Sequence, residues 1–293
     1  MVNYWLSAFA DEGADSIDGQ IEALKANRVK YIEPRNIDNK GILTLTDDEL
    51  IEVKKKLDDA GIKVNSLGSP IGKYPIEEDF EIHLNQFKRA LEVCKILGTS
   101  KMRMFSFFVK QDELTQWREE VINRLKTMAI LAKEAGITLC HENESHIYGQ
   151  MPQEVKDILT EVPELYGIFD PANYRMNDGD IDEGIDATLI RLGYLHIKDA
   201  IYSTQTIVPA DEGEGKIGEV LDKVNETCTG DVYLTVEPHL MEFFAYKAID
   251  THELKGKYKF ENNREAFDFA ITALKKLLTK QGYTEVEYGL WRK

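Results

Sequence analysis

Gly136-Ile137-Thr138-Leu139-Cys140-His141-Glu142-Asn143-Glu144 decides the fold. A helical run ends at a glycine, a short apolar strand follows, and the strand breaks off into acids, an amide and an imidazole. The same punctuation recurs over residues 165–170, 192–199 and 232–237, each a short apolar run leading into a carboxylate or histidine. Strand after strand ending in metal-ligating side chains predicts a ring of parallel strands converging on one site at their carboxyl ends.

Working outward, strands are expected over 3–9, 29–33, 62–67, 101–107, 165–170, 194–197 and 232–237, besides the one carrying Glu142. Helical spacing of apolar residues places helices over 17–24, 50–60, 80–97, 113–135, 152–159, 181–192, 217–228 and 263–278. Thr46-Asp47-Asp48-Glu49 reads as a capping box. Eight strands alternating with eight helices predict an α/β chain folded as a single (β/α)8 TIM barrel over residues 1–293. The alternative, a doubly wound open sheet, normally carries a glycine fingerprint after its first strand, and Phe9-Ala10-Asp11-Glu12-Gly13 is not one. Residues 202–215 and 239–260 exceed connector length. The second is rich in large apolar residues (Leu240, Met241, Phe243, Phe244, Tyr246, Tyr258, Phe260), as a lid, a homodimer contact or an extra rim helix would be.

Net charge is -16, from 36 Lys plus Arg against 52 Asp plus Glu. Such a surface repels phosphate backbones, so no nucleic-acid partner is expected. Cys94, Cys140 and Cys228 lack metal or disulfide spacing and read as buried thiols of a reducing compartment. Neither a signal segment nor an apolar run of ~18 residues appears, and the expected setting is cytoplasmic, away from membranes.

Alternation along a strand puts Cys140 with Glu142, Ile168 with Asp170, His196 with Lys198 and Thr235 with Glu237 on shared faces. In a barrel, Glu142, Asp170, His196 and Glu237 then meet across the mouth. Three neighbouring carboxylates repel one another in a partly dry cavity. A divalent ion resolves that conflict, and an oxygen-rich set with one nitrogen suits Mn, Mg, Co or Zn.

Phe169-Asp170-Pro171-Ala172-Asn173-Tyr174, Leu195-His196-Ile197-Lys198-Asp199 and Val236-Glu237-Pro238 resemble motifs of the xylose isomerase-like barrel superfamily, in its sugar phosphate isomerase/epimerase group. Tyr31-Ile32-Glu33-Pro34-Arg35, Gly68-Ser69-Pro70-Ile71-Gly72-Lys73 and Met102-Arg103-Met104-Phe105-Ser106 resemble that group's other strand ends. The resemblance covers nearly the whole chain. It implies a metal held by Glu142, Asp170, His196 and Glu237, with the two glutamates moving a proton on a small sugar or keto-polyol through an enediolate. One departure stands out: where the epimerases carry a histidine three residues after the strand-six Asp, this chain has Asn173, which hydrogen-bonds but carries no proton.

Further substrate-binding candidates are Lys198, Asn173, Arg103, Glu33, Lys73 and His146, with Arg35 and His239 near the rim. Arg103 and Arg35 either hold an anionic group or pair with acids such as Glu33. His141 turns outward as packing, Asp199 orients a neighbour, and Trp5 and Phe9 fill the barrel or wall a sugar face. Gly213-Glu214-Gly215-Lys216 reads as a turn rather than a phosphate loop. Two other functions remain open on these residues: a metal-dependent dehydratase of inosose or dehydroshikimate type, and a non-catalytic sugar-binding barrel. The apurinic endonuclease branch, with its zinc cluster, fits neither six histidines nor this charge.

Overall fold

The computed structural model describes residues 1–244 and 257–293. Tyr246, of the aromatic segment after the last strand, lies outside them. Eight parallel strands form the barrel: β1 Val2–Ala8, β2 Tyr31–Ile32, β3 Lys63–Val64, β4 Lys101–Met104, β5 Thr138–Glu142, β6 Tyr166–Phe169, β7 Leu192–Ile197 and β8 Gly230–Val236. β1 pairs with β2 on one side and β8 on the other, and the run β4-β5-β6-β7-β8 is continuous. The ring closes between β3 and β4 through a parallel bridge, Leu67 with Met102. Leu67 N–H donates to Lys101 O and Arg103 N–H to Leu67 O, both at 2.9 Å. Closure leaves the strands no free edge, and it brings their carboxyl ends around one mouth.

The helices between them are α1 Ile17–Ala26, α2 Asp47–Asp59, α3 Phe80–Leu97, α4 Leu114–Ala135, α5 Pro152–Glu161, α6 Ile181–Thr188, α7 Ile217–Thr227 and α8 Asn263–Lys280. Each turns an apolar stripe, such as Leu50, Val53 and Leu57 of α2, against the strands. The capping box is present: Thr46 Oγ1 accepts from Glu49 N–H while the Glu49 carboxylate accepts from Thr46 N–H. Gly136, at φ 74°, ends α4 in the left-handed region where a Cβ is unwelcome. That conformation delivers the chain into β5 and so aims Glu142 at the mouth.

Helix α6 stops at Thr188, short of the expected 192, because β7 already begins at Leu192. A short helix, Pro171–Met176, follows β6 at once. Its first turn is capped by Asp170, whose side chain accepts from Asn173 N–H. Three hairpins add to the barrel: Asn36–Ile37 with Lys40–Gly41, Asp199–Ile201 with Thr206–Val208, and Thr284–Glu287 with Leu290–Arg292. The last is antiparallel to the start of β1, pairing Tyr4 with Trp291 and Trp5 with Leu290, below the point where β2 takes over at Ser7 and Ala8. Trp5 packs edge-on to Tyr31, and Tyr31 to Tyr233, so aromatic rings fill the amino end of the barrel. Among the described residues, no helix is long and apolar enough to cross a membrane.

Candidate metal centre

Glu142 is the last residue of β5, Asp170 and Glu237 directly follow β6 and β8, and His196 is the last but one of β7. All four are at most 3% exposed. Each offers a ligand atom such that all four atoms lie within 4.8 Å of one another. His196 Nδ1 is the hub, 2.8 Å from Glu142 Oε1, 3.7 Å from Glu237 Oε2 and 3.9 Å from Asp170 Oδ2. The barrel register carries this out: Thr235 pairs with His196, and Glu142 with Ile168.

Such an acid cluster cannot stand in a dry cavity without cations. Lys198, two residues past His196 on the same face, places Nζ 3.1 Å from Asp170 Oδ2 and 3.2 Å from Glu237 Oε2. Arg103 Nη1 lies 3.2 Å from Glu142 Oε2, and its other nitrogens point at the carbonyls of Gly68 and Ser69. Arg35 Nη1 holds Glu237 Oε1 at 3.1 Å, while Nε and Nη2 hold Asp11 and Glu12. Each glutamate therefore has its own arginine. Both guanidinium groups stack on Phe9, their central carbons 4.4 Å (Arg35) and 4.9 Å (Arg103) from its ring centre. The Phe9 ring in turn meets His196 edge-on at 5.1 Å.

Burial alone would raise the Glu142 carboxyl, but His196 and Arg103 outweigh it and hold the group down at about 2. Glu237 is likewise held well below the usual range against burial, by Lys198, His239, His196 and Arg35. Asp170 goes the other way: burial lifts it to about 6 in spite of Lys198. Burial disfavours the His196 imidazolium, yet Glu142 and Glu33 raise it to about 10. In the metal-free protein Glu142 and Glu33 thus favour the charged imidazole of His196.

The donor set fits one divalent cation. Three carboxylates and one imidazole nitrogen surround a common point, and Asp170 Oδ2 is buried there with the Lys198 ammonium at 3.1 Å. A second trio, Glu12, Glu237 and His239, has the same closeness, but the Arg35 guanidinium already lies between Glu12 and Glu237.

The other sequence candidates fall into two groups. Asn173 is at the site, its amide donating to Asn143 O at 2.9 Å and reaching Glu142 Oε1 at 3.5 Å. Glu33 is fully buried behind His196, 3.4 Å from Nε2. Lys73 is at the rim, paired with Glu144 at 2.9 Å and set over the Phe105 ring. His146 is exposed on its loop and takes no part in the cluster. His141 turns outward to Ser106 Oγ. Asp199 orients its neighbourhood, accepting from the N–H groups of Ala200, Gly213 and Gly215, which is why that glycine pair is a turn.

Sequence reasoning missed Asp11 and Glu12, which anchor Arg35, and Asn143, which clamps Asp170 by two 2.9 Å bonds to its backbone. The available signal was their position, Asn143 directly after the fifth strand and Asp11 and Glu12 in the loop that follows the first.

The sequence model of the xylose isomerase-like TIM barrel family matches residues 21–280. No curated protein matches in sequence. Solved structures that match include the IolI protein with a binding zinc atom, at TM-score 0.72 and 15% identity over 94% of this chain and 99% of that one. The probable 3-DHS dehydratase AsbF of petrobactin synthesis from Bacillus anthracis aligns at 0.71 and 15%, over 92% and 98%. D-psicose 3-epimerase with D-tagatose from Clostridium cellulolyticum H10 aligns at 0.67 and 15%, over 93% and 98%. At these identities the likeness speaks for the fold.

Proposed function

The chain belongs to the xylose isomerase-like TIM barrel family, and from that premise we propose that it is a divalent-metal-dependent isomerase or epimerase of a small sugar or keto-polyol. The observation that carries the reading is the buried four-atom cluster of Glu142, Asp170, His196 and Glu237. These residues would hold one ion, as Mn, Mg, Co or Zn. Bound there, it supplies Lewis acidity toward a carbonyl oxygen.

The protein's own groups do the rest. Glu142 and Glu237 come from different strands of the ring and serve as the two proton carriers, one taking the proton from the carbon next to the carbonyl and the other returning it. Arg103 and Arg35 fix the far oxygen of each carboxylate, leaving Glu142 Oε1 and Glu237 Oε2 turned toward the centre. The Lys198 ammonium stands among the same carboxylates and can donate to an oxygen that gains charge as the enediolate forms.

Charge favours a neutral substrate. Among the described residues, Arg35, Arg103, Lys198 and Lys73 are each already paired with acids, so a phosphate or carboxylate would have to break an existing pair. That weighs against a dehydroshikimate-type reaction. A second reading, dehydration of a neutral keto-polyol of inosose type, is supported by Asn173, which puts no proton carrier where the epimerases have one.

The test is incubation with divalent metal and a panel of ketoses and keto-polyols in heavy water, followed by NMR. A substrate carbon next to the carbonyl should gain deuterium with wild-type protein, and Glu142→Gln and Glu237→Gln should abolish this with circular dichroism unchanged. Undiminished exchange by both variants would sink the assignment. Loss of water from the substrate in place of isomerisation would select the dehydratase.

A further inference from the structure

Glu33 is an acid beside the centre with no lysine or arginine within 4.0 Å among the described residues. Its side chain is fully buried, and among the described residues its charged partner within 4.0 Å is His196. A carboxylate so placed must be satisfied by specific hydrogen bonds. It has two. Oε1 accepts from the Tyr194 hydroxyl at 2.7 Å, with Ser66 Oγ 3.1 Å from that hydroxyl, and Oε2 lies 3.4 Å from His196 Nε2.

Sequence order makes this arrangement. Pro34 follows Glu33 and leaves it at the end of β2, tied by Glu33 N–H to Ala8 O. Tyr194 precedes His196 by two residues on β7, so both rings share the inner face, their centres 5.5 Å apart. The two nitrogens of His196 therefore face different surroundings: Nδ1 the three carboxylates of the centre, Nε2 the single carboxylate of Glu33.

We infer that Glu33, oriented by Tyr194, is a positioning residue for His196, accepting the Nε2–H so that Nδ1 presents its lone pair to the metal. Glu33 contacts the ring from the side away from the centre, so it does not touch substrate. A carboxylate behind a metal-bound histidine fixes ring orientation and tautomer and strengthens the ligand. The inference rests on the metal-centre reading above.

The experiment uses the full chain, with Co2+ as probe, by calorimetry and visible absorption. Glu33→Leu, which removes the acceptor in similar volume, should weaken Co2+ binding by about 10- to 100-fold and change the Co2+ band. Glu33→Gln keeps a carbonyl acceptor and should recover most of the affinity. Tyr194→Phe, which loosens Glu33 without touching His196, should weaken binding by less than Glu33→Leu. Melting curves without metal establish folding, and the Gln and Phe variants carry the test if the Leu variant does not fold. Wild-type affinity and spectrum in every folded variant would overturn the role of Glu33 while leaving the metal centre standing. A wild-type chain that binds no Co2+ would overturn both.

Discussion

Loading the centre with metal should expel a proton. In the metal-free protein burial opposes the His196 imidazolium, but Glu142 and Glu33 raise it to about 10, so at pH 7 the ring is protonated. A cation can bind only the neutral ring. The sign follows: below about pH 10 each ion bound releases the His196 proton, and affinity rises about tenfold per pH unit. Each pH unit between the working pH and the raised His196 value costs ~1.4 kcal/mol of apparent affinity, so binding at neutrality is weaker than at alkaline pH. Asp170, lifted to about 6 by burial against the pull of Lys198, adds a second proton below that pH, and the dependence steepens. Titration of Mn2+ by calorimetry at pH 7.0 in two buffers of different ionisation enthalpy counts the protons, and repeating it from about pH 6.5 to 8.5 gives the slope. One proton per ion is expected. Tight binding with no proton released, or affinity flat with pH, would refute the assignment of His196 as both the proton's seat and a ligand.

Arg103→Met removes the guanidinium from Glu142, leaving a carboxylate 2% exposed with His196 at 2.8 Å and the Asn173 amide at 3.5 Å. Breaking such a buried pair costs about 3–5 kcal/mol, measurable by urea unfolding of the metal-free protein; a change below ~1 kcal/mol would show that His196 and Asn173 suffice. Gly72→Ala should also destabilise, because Gly72 sits at φ 90° and an added Cβ would come 2.0 Å from Phe105 O. A loss of more than ~2 kcal/mol is expected in the same assay, whereas near-wild-type stability would mean that the 68–73 turn moves freely against β4.

The barrel and the meeting of Glu142, Asp170, His196 and Glu237 at its mouth were legible for one physical reason. Strand alternation has a period of two, so a residue's face follows from its distance to the strand end, and four strands ended in metal-ligating types at the same phase. Which charges pair is a different matter. Arg35 reaches Asp11 and Glu12, 24 and 23 residues back, and Glu237, 202 residues on, and no local pattern encodes such distances. Glu33 looked like any acid at a strand end; only the position of Tyr194 and of the His196 ring separates support from substrate contact. The C-terminal hairpin was missed although Thr284-Glu285-Val286-Glu287 alternates and Gly289, at φ 76°, marks its turn. It lies beyond the last α/β unit, and the barrel pattern gives no reason to look there.

The central claim is that Glu142, Asp170, His196 and Glu237 hold one divalent ion. Metal analysis of the purified protein, with Glu142→Gln alongside, tests it most directly. One tightly held ion per chain, lost or much weakened in the variant, is the predicted result. No ion in the wild-type protein after loading with manganese, cobalt and zinc would contradict the account, and the carboxylate ring would then belong to a sugar-binding barrel whose charges are balanced by Lys198, Arg35 and Arg103 alone.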